Sequence, residues 1–281
     1  MQKKLKMNKM KSIKKYGLLV ISVIAIGISV TLNSCTTDET QTVTTLTNLV
    51  MEEEFETSGA PDPEMWTYDI GTGENGWGNN ELQYYTDRAE NVVVEGGMLK
   101  ITALQESFEG QPYTSGRILT KGLFEQEYGR IEARVKIPFG TGIWPAFWML
   151  GNDIDQVSWP QCGEIDIFEN FGGSPSIVSG AVHGPGYNAG LAISKEFELE
   201  NDRFDTDFHI FGIEWGPNYI NFYVDDTLYN QITPEDVTGE WVFDHPFFII
   251  LNVAVGGNPV GSPANTEFPK TMYVDYIRVY E

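Results

Sequence analysis

The chain has 281 residues, with 40 acidic side chains against 18 basic ones and a formal net charge of −22. A surface that negative repels nucleic acid and sulfated polysaccharide, and suits a neutral ligand or a cation. With two cysteines, Cys35 and Cys162, a disulfide scaffold is excluded.

The first element is an export signal. Seven lysines between Lys3 and Lys15 precede the uncharged run GLLVISVIAIGISVTL, Gly17 to Leu32. At 16 residues, the run is short for a membrane span, which needs about 20. A basic head with a short apolar core reads as a signal peptide over 1–34. The run ends in LNSC, which resembles a bacterial lipobox and implies cleavage before Cys35 and acylation of its thiol. Removing 1–34 takes away seven lysines and no acid, leaving 11 basic against 40 acidic residues, or −29. Residues 35–48 are Thr-rich and read as a flexible tether. The acids Asp38 and Glu39 resemble a surface-export signal, so an outer-membrane or cell-surface lipoprotein is expected, touching the membrane only through its lipid.

The rest, 49–281, reads as one catalytic domain and a monomer. Its strands show by alternation and by β-branched and aromatic content. NVVVEGGMLKITALQ (91–105) is two strands turning at Gly96-Gly97. GRIEARVKIP (129–138) alternates apolar and charged residues, and GIWPAFWMLG (142–151) is apolar on both faces, as a buried strand is. GEIDIFENFG follows, then three short strands in 209–232 with turns at Gly216-Pro217 and Asp225-Asp226. Strands at 247–257 and 271–281 finish the chain. Many short strands with Gly- and Pro-rich turns predict an all-β, two-sheet sandwich. Thirteen per cent aromatic residues exceeds what a sandwich core needs, and aromatic rings in a groove stack on the apolar faces of sugars.

GEIDIFEN carries Glu164, Asp166 and Glu169. Strand alternation puts Glu164 and Asp166 on one face, but Glu169 comes one place late. A β-bulge between Asp166 and Glu169 resets the alternation and returns Glu169 to that face. The Cα atoms of Glu164 and Glu169 are then about 13–16 Å apart at about 3.3 Å per residue. Inward-leaning side chains close that span to the roughly 5–5.5 Å that retaining glycoside hydrolysis needs between its two carboxyls. A solvated acidic strand or a metal site is the competing reading. The apolar neighbours Phe147, Trp148, Ile165, Ile167 and Phe168 favour chemistry, since acids in such surroundings are costly. Asp166 lies near both glutamates, where it can orient Glu164 and keep Glu169 protonated. Cys162, two residues before Glu164, has no histidine nearby in sequence and reads as a small hydrophobe.

The stretch WPAFWMLG…WPQCGEIDIFENFG, Trp144 to Gly172, resembles glycoside hydrolase family 16. The resemblance continues through ENGWGNNELQYYT (74–86), SGRILTKG (115–122), YGRIEARVKIP (128–138), VHGPG (182–186), FHIFGIEW (208–215), LNVAVGG (251–257) and VDYIRVYE (274–281). It implies a concanavalin-like β-jelly roll with a long substrate groove, Glu164 as nucleophile, Asp166 as assisting acid and Glu169 as general acid/base, with no catalytic cofactor. The extra residue before Glu169 is similar to laminarinase-like members, agarases and carrageenases; the phrases ELQYYT, WPAFWML and CGEID resemble laminarinases among them, which implies endo-hydrolysis of neutral β-1,3-glucan, with mixed-linkage β-1,3-1,4-glucan the alternative. A galactan hydrolase, a transglycosylase and a non-catalytic glycan-binding lipoprotein are less consistent with −29 and three intact carboxyls. By matched position, Asn79, Glu81, Arg117, Trp144, Trp148, Trp159 and His183 line the groove, and His209 and His245 are structural. The resemblance also implies a structural calcium held by Glu54, the Gly97 carbonyl and Asp275, whose hard oxygens suit that ion.

Overall fold

The computed structural model describes residues 46–281. The signal peptide (1–34), Cys35 and the tether as far as residue 45 lie outside the described residues. The backbone of Asn48 exchanges hydrogen bonds of 3.0 and 2.8 Å with Glu281.

Seventeen strands follow. The first nine are β1 (Leu49–Glu53), β2 (Thr67–Tyr68), β3 (Gln83–Tyr85), β4 (Val92–Val94), β5 (Leu99–Ala103), β6 (Tyr113–Ser115), β7 (Arg117–Leu119), β8 (Gly129–Lys136) and β9 (Ile143–Gly151). Next come β10 (Glu164–Glu169), β11 (Ile177–His183), β12 (Ile193–Glu198), β13 (His209–Gly216), β14 (Tyr219–Val224) and β15 (Thr227–Ile232). β16 (Phe247–Val255) and β17 (Lys270–Tyr280) end the chain. One sheet runs β15-β14-β13-β8-β17-β5-β4, with β1 also on β17. The other runs β12-β11-β10-β9-β16-β7-β2, and β3 and β6 form a small parallel pair. Among the described residues no helix is long and apolar enough to cross a membrane.

The alternation read from the sequence is the alternation of burial. In β5, Leu99, Ile101 and Ala103 are buried and their neighbours are not, and β8 buries Ile131, Ala133 and Val135. These side chains meet the inner face of the second sheet in one core that includes Phe147, Ile165, Phe168, Phe211, Trp215 and Ile249. A smaller cluster of Leu119, Leu150, Cys162, Phe248 and Ile250 covers part of that sheet's other face. Ile154 and Cys162 bring the loop after β9 down onto it. This explains why β9 and β16 are apolar on both faces: one face meets the sandwich core and the other meets a loop or the groove.

β11 and β12 lack a clear period in the sequence. β11 is interrupted by Gly180, where a Cβ would meet the Tyr229 hydroxyl at 2.3 Å and Phe222 at 2.6 Å. The glycine is a packing requirement, because side chains of the opposite sheet fill its space. β12 is an exposed edge strand with Lys195, Glu196 and Glu198, the charged pattern that discourages edge-to-edge pairing.

Candidate active site

β10 contains the bulge. Glu164, Ile165 and Asp166 face His183, Val182 and Ala181 on β11, and then Glu169 faces Ser179. Three steps along β10 match two along β11. Against β9 the slip falls between Asp166, opposite Trp148, and Phe168, opposite Phe147. The extra residue lets Ile167 and Phe168 both enter the core, at 1% and 0% exposure. Burial of two successive apolar side chains keeps the bulge in place, and the three acids emerge on one face. Cross-strand partners put His183, Trp148, Trp144, Asn252 and Arg117 on the same face.

Each acid has its own partners. Trp144 Nε1 donates to Glu169 Oε1 at 2.9 Å. The indole of Trp159 donates to Glu164, and its ring lies 6.0 Å from that of His183. His183 Nε2 lies 3.0 Å from Asp166 Oδ2 and 3.6 Å from Glu164 Oε1. The Ala189 backbone N–H donates to His183 Nδ1 at 3.1 Å.

Burial, reinforced by the charge of Asp166, pushes Glu164 up to about 8, against the opposing pull of His183, Trp159 and Arg117. Glu169 is pushed well above the ordinary carboxylate range, first by burial and then by the charges of Asp166 and Glu164. Burial lowers His183, but the contact with Asp166 and the surrounding acids outweigh it and push it up to about 9. The two glutamates are thus unlike. Both are raised, but Glu169 faces two acids, Asp166 and Glu164, against His183 and Trp144, whereas Glu164 faces Asp166 alone against His183, Trp159 and Arg117, so Glu164 ionises the more readily and Glu169 keeps its proton the more firmly. One buried base beside one buried acid is the pairing that double displacement at an acetal requires.

The wall beside them is built around Arg117. Its guanidinium lies between two indoles, 4.5 Å from the Trp77 ring and 4.7 Å from that of Trp148, and its Nε pairs with Asp69 at 2.8 Å. The resemblance implies that Arg117 hydrogen-bonds sugar hydroxyls; in the fold its guanidinium makes cation–π contacts with both Trp77 and Trp148, which ties the two rings of the wall together. Trp148 Nε1 donates to Asn252 at 2.7 Å, and Asn252 donates to the Tyr85 hydroxyl at 3.1 Å. Tyr85 and Gln83 both donate to Glu81 Oε2, at 3.3 and 2.6 Å, and Asn79 also hydrogen-bonds Glu81. Burial raises the Glu81 pKa. Asn79 lies in the irregular turn Gly76–Asn80 and Glu81 follows it; within the turn Trp77 has a left-handed φ of 54°.

Trp77, Gln83, Tyr85 and Asn252 were not singled out by sequence reasoning. They lie within the matched segments WGNNELQYYT and LNVAVGG, but nothing in their spacing marks them as one network. Gln83, Tyr85 and Asn252 share one feature, that buried polar side chains need partners, and Trp77 joins them by packing its ring 5.7 Å from that of Tyr85.

The sequence profile of Glycosyl hydrolases family 16 matches residues 50–278. The chain belongs to glycosyl hydrolase family 16. It is 45% identical over 243 residues to a beta-glucanase from Rhodothermus marinus, covering 83% of this chain and 84% of the relative. The laminarinase catalytic domain from Thermotoga maritima superposes with a TM-score of 0.80 at 50% identity, over 83% of this chain and 98% of that one. A non-specific endo-beta-1,3(4)-glucanase of family 16 superposes with a TM-score of 0.76 at 38% identity, over 85% and 93% of the two chains. The chain is therefore a glycoside hydrolase with the family's jelly-roll fold.

Three further residue sets of this family 16 chain are placed by the fold. Cys162 is buried in the smaller cluster, and burial with the charges of Asp153 and Glu164 pushes its thiol up to about 12, so it is no nucleophile. His209 pairs with Asp225 at 2.9 Å and His245 with Asp153 at 3.3 Å, both structural contacts. For calcium, Glu54 follows β1, Gly97 lies in the β4–β5 turn and Asp275 lies on β17, the strand that both β1 and β5 pair. Glu54 Oε1 pairs with Arg278 at 2.7 Å and Asp275 Oδ2 with Arg134 at 2.6 Å. Each carboxylate retains a second oxygen, so the donor set fits a hard cation.

Proposed function

We propose that this family 16 enzyme cleaves internal linkages of neutral β-1,3-glucan with retention of configuration. The observation that carries this is the bulged strand, which turns two desolvated glutamates toward one face, with the push toward the protonated form stronger on Glu169 than on Glu164. Glu164 attacks the anomeric carbon as a carboxylate while Glu169 gives its proton to the departing glycosidic oxygen. The carbon–oxygen bond breaks and a glycosyl ester forms on Glu164. Glu169, now a carboxylate, takes a proton from water as that water's oxygen attacks the anomeric carbon. Glu164 leaves as a carboxylate and Glu169 is again protonated. Asp166 raises the proton affinity of both glutamates. Trp77, Trp144, Trp148 and Trp159 supply the apolar walls.

The β-1,3 preference is supported by the relatives described as a laminarinase and a beta-glucanase. Mixed-linkage β-1,3-1,4-glucan is a second reading, supported by the relative described as a non-specific β-1,3(4)-glucanase. Product analysis on laminarin, lichenan, agarose and carrageenan in parallel tests both. Oligosaccharides from laminarin at the highest rate are expected. Release from a galactan with none from either glucan refutes the proposal. Glu164→Ser should abolish hydrolysis and leave laminarin binding measurable.

The export signal and Cys35 support a surface lipoprotein, which metabolic labelling with a fatty acid tests in the wild type and Cys35→Ala. We also propose that the domain acts as a monomer, tested by its sedimentation, and that calcium bound at Glu54, Gly97 and Asp275 ties β1 and the β4–β5 turn to β17. Added calcium should raise the unfolding temperature of the wild type and not that of Asp275→Asn.

A further inference from the structure

The catalytic face holds one group whose protonation has two candidate states. His183 is surrounded by Glu164, Asp166 and Glu169, all on β10. The loop before β10 brings the Trp159 ring, while its two acids point elsewhere: Asp153 to His245 and Asp155 to Lys121. The loop after β11, Gly184 to Leu191, carries no charged residue. Against burial, which lowers it, those acids, when ionised, push His183 up to about 9 and by themselves favour an imidazolium at pH 7.

Hydrogen bonding opposes it. A neutral imidazole has one N–H and one lone pair. At His183 the Nδ1 lone pair receives the Ala189 N–H at 3.1 Å. The proton is therefore on Nε2, which lies 3.0 Å from Asp166 Oδ2, a buried oxygen that otherwise lacks a hydrogen-bond partner of good geometry among the described residues. A second proton could go only to Nδ1, where it would meet the Ala189 N–H head-on. Competition for protons acts in the same direction: each proton kept by Glu169 removes one of the charges that would hold a proton on His183.

The backbone is shaped for this contact. Asn188 is extended, at φ −143° and ψ 165°, and Ala189 then takes a left-handed φ of 49°. Glycine suits that region better, yet glycine comes one residue later, at 190. The turn is held by Leu191 N–H to Asn188 O at 3.0 Å, and by the pairing of Gly184 with Tyr187.

We infer that the Ala189 amide locks His183 as the neutral Nε2–H tautomer, so that it hydrogen-bonds Asp166 without adding a positive charge beside Glu169. A cation there would favour the ionised form of Glu169 and weaken it as an acid. The proton on Nε2 also closes that nitrogen to a divalent cation, although Glu164, Asp166 and His183 offer atoms within 4.8 Å of one another. Ala189 is thus a positioning residue acting through its backbone. The consequence for catalysis rests on the proposed role of Glu169, but the tautomer is read without any activity measurement.

The chain has three histidines, so long-range proton–nitrogen NMR of the full-length, nitrogen-15-labelled protein resolves three rings. The His183→Gln spectrum identifies the one in question. At pH 7, His183 should show a protonated Nε2 and a bare Nδ1. Two protonated nitrogens, or a bare Nε2, overturns the inference. Ala189→Gly keeps the N–H and should keep the same tautomer. Replacing the 189 amide by an ester removes only the N–H; His183 should then take up a second proton at pH 7. The alkaline limb of the kcat/KM profile should move to lower pH in that variant. An ester variant with an unchanged ring and an unchanged limb also overturns the inference. If the ester variant does not fold, the wild-type spectrum alone decides. Loss of the expected glucan activity with the expected tautomer would fault the functional reading and not this one.

Discussion

Asp166→Asn separates charge from shape at the centre of the site. Asparagine keeps an oxygen that can accept the His183 Nε2–H, so the packing is largely conserved, but the negative charge is gone. Atoms of Asp166 and Glu164 lie within 4.8 Å of one another. Two unit charges at that separation and an effective dielectric of about 20 repel by about 3.5 kcal/mol. That is about 2.5 pKa units at 1.36 kcal/mol each. Groove water reduces it, so the expected fall in the Glu164 pKa is about one to two units. The direction follows from the cause: Asp166 raises both glutamates, so its neutralisation lowers both. Initial rates of reducing-end release from laminarin, measured across pH at substrate below KM, report the free enzyme. The acidic limb belongs to Glu164, which must be ionised, and the alkaline limb to Glu169, which must hold a proton. Both limbs should move to lower pH, and activity above neutrality should fall most. A lower rate with both limbs unmoved would refute the electrostatic role of Asp166.

Three other expectations rest on separate parts of the fold. In Arg117→Leu the two cation–π contacts are lost, each worth about 0.5–2 kcal/mol. If the loosened wall forfeits the worth of one such contact in substrate binding, KM for laminarin should rise by between about twofold and thirtyfold, and the acidic limb should move up, because the Arg117 charge favours ionised Glu164. Arg117→Lys should restore the limb more fully than KM; equal restoration of both would argue against stacking. Gly180→Ala forces a Cβ to within 2.3 Å of the Tyr229 hydroxyl, an overpacking cost of about 1–3 kcal/mol. The unfolding temperature should drop by about 2–12 °C for a domain of this size, and an unchanged value would contradict the tight sheet-to-sheet contact. Finally, folding raises the Glu164 pKa from 4.5 to about 8. The folded state therefore binds the proton more tightly, and stability is lost as pH rises through that window. The gain in denaturation midpoint of Glu164→Gln over wild type should be larger at pH 9 than at pH 5. A pH-independent difference would show that Glu164 titrates normally.

Much of the fold was legible because one sheet face is dry and the other wet. β5 and β8 alternate for that reason, and their positions agree with the sequence reading to within a residue or two. The turns at Gly96-Gly97 and Asp225-Asp226 were legible from turn chemistry. β11 was not, because the reason for Gly180 is a tyrosine some 49 residues further along the chain. The short strands β1, β2, β3, β6 and β7 have too few residues to show a period, and they form because a neighbouring strand offers hydrogen bonds.

The site divides in the same way. By itself the sequence determined the family, the three acids and the need for a bulge between Asp166 and Glu169, since local alternation and the order of residue types suffice for these. Only the tertiary structure decided which groups complete the site. Ala189 reaches the His183 ring through its backbone, Asn252 reaches Trp148 from the neighbouring strand, and Arg117 lies against both Trp77 and Trp148. Hydrogen-bond direction, ring packing and the charged neighbours that distinguish Glu164 from Glu169 depend on distances between residues far apart in the chain. No spacing along the sequence encodes them.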